Sequence, residues 1–432
     1  MERQVYSRLL LLLVLGLVGA VSNPQSGAAV SRPSSTLDRL FEPVILNTNA
    51  LPAFVGTPVD DLFVYALRGG AWSQIPFQVD EISQADRYSP LDDGIFNSRA
   101  TANGVRFDEI VFMAKDAGDQ APGAPVIDGQ PFNGAWYKVE VTNPVNPSAK
   151  GWVYVVRSDA LNPTLEDYVN FSPATRQLTG QTYEFGFATS SGDRKQWIDV
   201  LKVGAAGSRG PDILDRTPNV DGCAKICLNE EELDRLARFE DDQFIKDGRV
   251  RVILRDGRMK AYGSTLEWSV YIPPFPTTPT YVQFSTDFNR DATGAKFFNA
   301  ATPSSGVIVD GVPDAVPTTP FSRWWQLATS SGSVIQVGNY ASAGGTLTNY
   351  YQDNATASDP TGEPGYYADT GARINNPNNG FTYSVRFYFL PGAQGKVGDK
   401  YQEYFDNELK PLSEFHEGRD GRVTVFLPLV MK

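Results

Sequence analysis

The sequence predicts a mostly β protein made of two β-sandwich-like domains with one short helix. The first observation is a series of short apolar, aromatic and β-branched runs, which glycine, proline and asparagine separate. The second is the length of 432 residues, because a chain of this size exceeds one ordinary core and favours domains of about 100–200 residues each. The third is that a single segment has the residue spacing of a helix.

Residues 1–22 have the pattern of a secretory signal peptide. Arg3 and Arg8 precede an unbroken apolar run from Leu9 to Val21, and the run ends in a small-x-small cleavage pattern. This run of 13 residues is shorter than the roughly 20 that a membrane-spanning helix needs. We therefore expect cleavage near Ser22–Asn23 and a secreted, extracellular or cell-surface protein. The mature chain is expected to contain no transmembrane segment.

Residues 23–36 are rich in serine, alanine, proline and glycine, which predicts a flexible lead-in to an N-terminal β domain at 37–175. A hairpin is predicted around Gly69-Gly70, because β-rich runs lie on both sides of this turn. The strands expected in the first domain cover 62–67, 72–79, 110–114, 136–141 and 151–157.

The larger β-sandwich-like domain, at 176–432, contains the predicted helix. Asn229 can cap a helix at 229–240, and the three glutamates that follow it compensate the positive first turn. Four prolines within 272–280 cannot all join a sheet ladder, so this segment is a candidate sub-boundary. The strands expected here cover 183–187, 197–203, 250–254, 266–272, 281–284, 324–327, 334–337, 381–390 and 422–430.

The chain is acidic, with 38 basic and 50 acidic residues and a net charge of −12. Nucleic-acid binding is not expected, since phosphate contacts need clustered lysine and arginine. The single histidine, His416, excludes a multi-histidine zinc or copper site within one chain. Because His416 stands in a polar, turn-like stretch, we expect a solvated loop residue rather than a member of a catalytic triad.

Cys223 and Cys227 are the only two cysteines of the chain. In an oxidising compartment a nearby pair predicts a disulfide. A metal site would need two further ligands, and redox-active pairs usually have two intervening residues rather than three. The disulfide is therefore favoured over both alternatives.

Three segments resemble uncharacterised exported bacterial β-rich proteins: Gln74–Glu81, Asp108–Ala114 and Asp247–Ile253. The last segment is also similar to short sequence segments in accessory domains of polysaccharide lyases. The resemblance implies a glycan-related setting, and it carries no functional residue over to this chain.

A calcium site is predicted at Asp287, Asn289 and Asp291, which offer side-chain oxygens at alternate positions. The segment is not an EF-hand loop, because Gly294 stands two places late and Phe298 occupies the position of the glutamate ligand. The alternative is an Asx turn, which aspartate and asparagine form without a cation. The acidic residues of 350–371 could likewise bind cations or sugar hydroxyls, or be solvated loops.

Adjacent aromatic residues are the candidate glycan-binding residues. Neighbours on a strand point to opposite faces, so one ring of each pair can enter the core while the other faces outward and stacks on a sugar. The alternative is that both rings are covered. The three pairs are Trp324 and Trp325, Tyr350 and Tyr351, and Tyr366 and Tyr367.

Together these patterns favour a non-catalytic protein that binds glycan or builds the cell envelope, with a polysaccharide or envelope component as partner. The alternative is a carbohydrate-active enzyme, a glycoside hydrolase or polysaccharide lyase that uses carboxylates or Tyr and Lys. No motif selects catalytic residues. Converging charges beside an aromatic wall in a deep cleft would favour the enzyme.

Overall fold

The strands of the chain pair into two β-sandwiches, which confirms the predicted mostly β fold class. The computed structural model describes residues 34–83, 88–89, 93–101, 104–187, 198–224, 244–254, 257–274, 279–340, 344–358, 364–418 and 423–426. The predicted signal peptide, the predicted helix at 229–240 and Cys227 lie outside these residues, so the export signal, that helix and the disulfide stay predictions.

The strands of the N-terminal part are β1 (Pro43–Asn47), β2 (Thr57–Pro58), β3 (Leu62–Arg68), β4 (Ala71–Gln74), β5 (Phe77–Ile82), β6 (Tyr88–Ser89), β7 (Ile95–Phe96), β8 (Ser98–Thr101), β9 (Gly104–Phe107), β10 (Glu109–Met113), β11 (Val126–Ile127), β12 (Gln130–Pro131), β13 (Trp136–Asn143) and β14 (Asn146–Arg157). Short 3-10 turns lie at Pro52–Phe54, Val59–Asp61 and Ala114–Asp116.

The later strands are β15 (Val169–Ser172), β16 (Gln177–Gly180), β17 (Tyr183–Phe187), β18 (Ile198–Val203), β19 (Leu214–Ala224), β20 (Phe244–Asp247), β21 (Arg251–Leu254), β22 (Met259–Tyr262), β23 (Thr265–Ile272), β24 (Pro279–Phe288), β25 (Lys296–Asn299), β26 (Val307–Ile308), β27 (Trp324–Ala328), β28 (Gly332–Asn339), β29 (Thr346–Asn354), β30 (Tyr366–Asn375), β31 (Phe381–Pro391), β32 (Lys410–His416) and β33 (Val423–Phe426). A 3-10 turn at Arg290–Ala292 follows β24, and helix α1 (Gly398–Asp406) precedes β32.

The first sandwich joins a sheet of order β33-β32-β13-β14-β3-β4 to a sheet of order β1-β10-β5-β6. Alternate residues of β13, including Val139 and Val141, are buried. This two-residue period is expected for a strand that packs only one of its faces against a core. The predicted hairpin between β3 and β4 is confirmed, and Gly69 and Gly70 form its turn with φ of 55° and 85°.

The second sandwich joins the sheet β15-β16-β17-β18-β19-β24-β30-β29 to the sheet β20-β21-β22-β23-β31-β28-β27-β25-β26. Its core contains Val282 and Phe284 of β24, Ala372 of β30, and Trp268 and Phe387 of the facing sheet. The rings of Phe284 and Tyr383 stack across this core with centroids 4.5 Å apart.

The chain crosses between the sandwiches more than once. Strand β15 lies before residue 176 but pairs in the second sandwich, and β32 lies near the C-terminus but pairs with β13 in the first. The domain limits 37–175 and 176–432 and the sub-boundary at 272–280 stay sequence predictions.

His416 ends β32, and the expectation of a solvated loop histidine is wrong. Its imidazole stacks on Trp136 of β13 with ring centroids 3.8 Å apart and an interplanar angle of 2°. Burial lowers the pKa of His416 below its usual value. The strand was missed because the segment Lys410–His416 is mostly polar.

Helix α1 packs on the outer face of β27, β28 and β31. Tyr401 and Tyr404 of the helix lie against Trp324 and Tyr388 in a small apolar cluster, and Trp324 Nε1 donates a hydrogen bond of 2.8 Å to Asp399. Within the described part of the chain, no helix has both the length and the apolar character needed to cross a membrane.

Buried ion pairs connect the two sandwiches. Arg251 of β21 has a fully buried side chain and binds Asp80 of β5 at 2.7 Å and Glu109 of β10 at 2.5 Å. Arg386 of β31 binds Glu267 at 2.6 Å and Glu42 at 3.5 Å. Breaking such a pair leaves a buried charge without compensation, so these contacts fix the relative position of β5, β10 and β21.

We predict that Gly398→Ala destabilises the protein by about 1–3 kcal/mol through overpacking. A Cβ at this position would lie 1.9 Å from the indole of Trp324, whose side chain is enclosed by the apolar cluster. Urea unfolding followed by tryptophan fluorescence measures the change. Gly395→Ala is the matched control, because a Cβ there meets nothing within 4 Å. Equal stability of the two variants would contradict the packing of α1 on Trp324.

Candidate functional site

One face of the sheet around β24, β29 and β30 is polar although much of it is buried. The core side of β24 carries Val282, Phe284 and Phe288, so the odd-numbered residues of the strand point to the opposite face. The same alternation applies to β30 and β29. We call this surface the polar face, and its members are Tyr281, Gln283, Ser285, Asp287, Tyr350, Gln352, Asp369 and Arg373.

Antiparallel register brings these residues together from three distant parts of the chain. Gln283 is opposite Arg373, and Ser285 is opposite Gly371. On the other side of β30, Gly371 is opposite Tyr350. Gly371 has no side chain to cover the centre of the polar face, and a Cβ there would lie 1.9 Å from the carbonyl oxygen of Phe284. Only glycine therefore permits this approach of β30 to β24.

The deeper part of the polar face is nearly inaccessible to solvent. Gln283 and Ser285 are 3% exposed, and Asp287 and Asp369 are 1% exposed. The Oγ of Ser285 is buried and makes no hydrogen bond to any residue that the structure describes. A buried hydroxyl without a partner costs free energy, so its place on this face needs an explanation.

The rim of the polar face is half-buried and centres on Arg373. The Arg373 guanidinium lies 4.4 Å from the ring centroid of Tyr281 and 5.3 Å from that of Tyr350. Its Nε and Nη2 donate hydrogen bonds of 3.1 and 2.7 Å to Oε1 of Gln283. Two aromatic rings and one amide therefore hold the guanidinium in a fixed orientation.

Tyr350 is kept protonated at the rim. Burial and the neighbouring Asp369 carboxylate raise the pKa of its phenol far above the usual value. The hydroxyl donates a hydrogen bond of 2.8 Å to Oε1 of Gln352. Tyr350 thus offers a hydroxyl and a ring surface, and it is a poor candidate for a catalytic base.

The expectation that adjacent aromatic rings point to opposite faces is confirmed for Tyr350 and Tyr351. Tyr351 packs toward the core, where its ring lies 4.4 Å from that of Phe297, whereas Tyr350 is on the polar face. At the next pair, Tyr367 packs against the same core and the Tyr366 hydroxyl donates to a loop carbonyl. Glycan contact by these rings stays a prediction.

Trp324 and Trp325 also point to opposite faces of β27, but both indoles are covered, which was the alternative to glycan contact. Trp325 enters the main core of the second sandwich, where it packs edge-on against Phe288. Trp324 points to the other side of β27, but α1 covers that side. The two side chains are 2% and 4% exposed, so neither offers a surface for sugar stacking.

The three residues of the predicted calcium loop do not form a shared centre. Asp287 is buried on the polar face, while the Oδ1 of Asn289 accepts the backbone N–H of Asp291 at 2.9 Å. The Nδ2 of Asn289 donates to the carbonyls of Asp212 and Leu214 at 3.1 and 3.2 Å. The loop is therefore the Asx turn, which was the alternative to a cation site.

An acidic group that could hold a metal ion lies elsewhere, at Asp310, Asp314 and Asp353. One carboxylate oxygen of each lies within 4.8 Å of the others. Asp353 is 2% exposed and accepts the backbone N–H groups of Asp310 and Gly311 at 2.9 and 3.0 Å. Burial, together with the charges of Asp310 and Asp314, raises the pKa of Asp353 to about 6. Asp353 belongs to the acidic stretch 350–371 that was a candidate for cation binding, whereas Asp310 and Asp314 lie outside it.

A separate groove of about 670 Å³ lies where the two sandwiches meet. The charges at its edge are partly compensated, since Lys246 pairs with Asp80 at 3.0 Å and donates to the carbonyl of Val79. Sequence reasoning missed this groove, because its walls come from strands far apart in the chain. The lining includes Phe63, Phe77, Gln78, Glu81, Lys246 and Arg249.

Comparison with known proteins gives only distant likeness. No protein family and no curated protein matches the chain. Among solved structures, an alpha-mannosidase from Enterococcus faecalis aligns over 90% of this chain at 10% identity with a TM-score of 0.35. A glycosyl hydrolase family 38 protein from the same organism aligns over 90% at 10% identity with a TM-score of 0.34. This chain covers 46% and 48% of those chains, and similarity at this level does not indicate a shared fold.

Proposed function

We propose that this protein binds a glycan at the polar face as an exported, non-catalytic protein of the cell surface or extracellular space. The observation that carries the proposal is the rim, where Tyr281 and Tyr350 flank Arg373 above a floor of buried amide and carboxylate groups. Export is supported by the signal-peptide pattern of residues 1–22.

The chemistry of the polar face suits a sugar. Aromatic rings pack against the C–H faces of pyranoses, while amides, carboxylates and guanidinium groups hydrogen-bond to ring hydroxyls. Tyr350 supplies a ring and Gln352 an amide within one strand, and Asp369 lies on the neighbouring strand opposite Gln352. A few well-placed polar groups beside an aromatic surface are typical of a small-ligand site.

A carbohydrate-active enzyme is the second candidate, and one observation favours it. Thr286 and Thr370 are the last paired residues of the antiparallel strands β24 and β30, and next to them Asp287 follows Thr286 while Asp369 precedes Thr370. Glycoside hydrolases use two carboxyl groups on opposite sides of the scissile bond. Release of reducing ends from a polysaccharide panel would favour this candidate over binding alone.

We predict that Tyr350→Ala weakens glycan binding by about tenfold, or about 1.4 kcal/mol, because a stacking surface and a hydroxyl are lost. A glycan array with the purified protein identifies the ligand, and titration calorimetry then compares the variants. Tyr271→Ala is the control, since Tyr271 is 58% exposed and lies on β23, outside the sheet of the polar face. Equal affinity of wild type and Tyr350→Ala would contradict the proposed site.

Calcium is the cation that we propose for the acidic group. Three aspartates supply only oxygen ligands, which calcium prefers, and a bound cation would offset their mutual repulsion. The phenol oxygen of Tyr351 is buried without a hydrogen-bond partner among the described residues, and burial together with the charges of all three aspartates raises its pKa. This polar atom supports a ligand at the group.

We predict that calcium chloride raises the melting temperature by about 1–3 °C at pH 7.5 and has little effect at pH 4.5. The folded-state pKa of Asp353, about 6, lies above its ordinary value of 3.8. Its stabilising contribution is therefore present below about pH 4 and is lost as the pH rises through 6, where a cation can restore it.

The calcium effect should disappear in Asp314→Asn and persist in Asp291→Asn, because the exposed Asp291 side chain is not part of the acidic group. Differential scanning fluorimetry with calcium chloride or chelator measures both. A calcium shift that survives in Asp314→Asn, or no shift in the wild type at pH 7.5, would overturn the assignment.

A further inference from the structure

The half-buried Arg373 differs from the buried arginines Arg39, Arg251 and Arg386 in its lack of a carboxylate partner among the described residues. Arg39, Arg251 and Arg386 each pair with at least one aspartate or glutamate. Among the described residues, no carboxylate forms an ion pair with Arg373, and its hydrogen bonds go to the neutral amide of Gln283. The guanidinium is half-buried and has no neighbouring negative charge to compensate it, so a negatively charged ligand would be attracted to it.

The geometry of Arg373 leaves an edge of the guanidinium available. The guanidinium has five N–H donors. The single donor on Nε and one of the two on Nη2 are directed at Gln283. The Nη1 donors make no hydrogen bond to any residue in the described part of the chain. Because Tyr281 and Tyr350 already fix the plane of the group, little conformational entropy would be lost when a ligand binds.

We infer that the glycan carries a carboxylate, as a uronic acid does, and that this carboxylate binds Arg373. The inference rests on the proposed function and makes Arg373 the residue that determines specificity. A guanidinium matches a planar carboxylate in a paired hydrogen-bond geometry, and partial burial strengthens the interaction relative to a solvated pair.

The remaining groups of the polar face fit the rest of such a sugar. The Tyr350 hydroxyl lies near Arg373 on the neighbouring strand, and it is able to hydrogen-bond to a sugar hydroxyl. The net charge of −12 opposes unspecific binding of polyanions, so recognition has to come from this local pairing. Densely sulfated glycans are therefore not the expected ligands.

The test compares matched ligands on the purified wild-type protein. Oligogalacturonate, alginate and hyaluronan oligosaccharides are measured by titration calorimetry against the same oligosaccharides with their carboxyl groups reduced to alcohols. We expect at least one acidic oligosaccharide to bind about tenfold more tightly than its reduced form, which corresponds to loss of one charge-assisted contact.

Variants assign that preference to the proposed residue. Arg373→Gln should lose the preference for the acidic form, and Arg373→Lys should retain part of it, because lysine keeps the charge but not the planar geometry. Arg157→Gln is the control, since Arg157 is exposed and lies at the end of β14 in the first sandwich. Melting temperatures establish that each variant is folded.

The outcomes separate the two proposals. Binding of neutral glycans with no preference for the acidic forms, or binding of sulfated glycans alone, would overturn the role of Arg373 and leave glycan binding intact. A preference for the acidic form that persists in Arg373→Gln would also overturn it. The wild-type comparison decides the ligand class even if a variant does not fold. Absence of binding to every glycan, acidic or neutral, would overturn the proposed function itself.

Discussion

The two-residue period of β24 is the constraint on which the rest of the site depends. Because Val282 and Phe284 must enter the core of the second sandwich, Gln283 and Ser285 are forced onto the opposite face. A shift of one residue would exchange the two sets, burying polar groups in the core. Gly371 secures this arrangement, since any side chain there would collide with the carbonyl oxygen of Phe284. The hydrophobic core and the polar face are thus two consequences of one register.

The buried Arg251 and the half-buried Arg373 hold their charges in two different ways. Arg251 is neutralised by Asp80 and Glu109, and these pairs hold strands of the two sandwiches against each other. Arg373 is instead held by aromatic rings and by Gln283, which orient its charge without cancelling it. The first arrangement stabilises structure once the ions are desolvated as a pair. The second keeps a charge available for a partner outside the chain, which is what a recognition site requires.

The fold was more predictable from the sequence than the site. The β3–β4 hairpin has a local signal in Gly69-Gly70, and most strands have apolar runs that reveal them. Strand β32 has no such signal, because it is mostly polar. It forms by pairing with β13, which lies more than 250 residues earlier in the chain. The burial of Trp324 depends on α1, a polar helix whose few buried positions do not identify it from sequence. Long-range strand pairing likewise brings together Tyr281, Tyr350 and Arg373. The alternation of polar and apolar residues along β24 and β29 indicates a polar face, but it does not show which strands are neighbours.

The central claim is that the polar face, and not the groove between the sandwiches, is where a glycan binds. Hydrogen–deuterium exchange with mass spectrometry, measured with and without the tightest-binding oligosaccharide, tests it most directly. We expect slower exchange in peptides that cover Pro279–Phe288, Thr346–Asn354 and Tyr366–Asn375. Protection confined to Phe77–Ile82 and Phe244–Asp247, which border the groove, would contradict it.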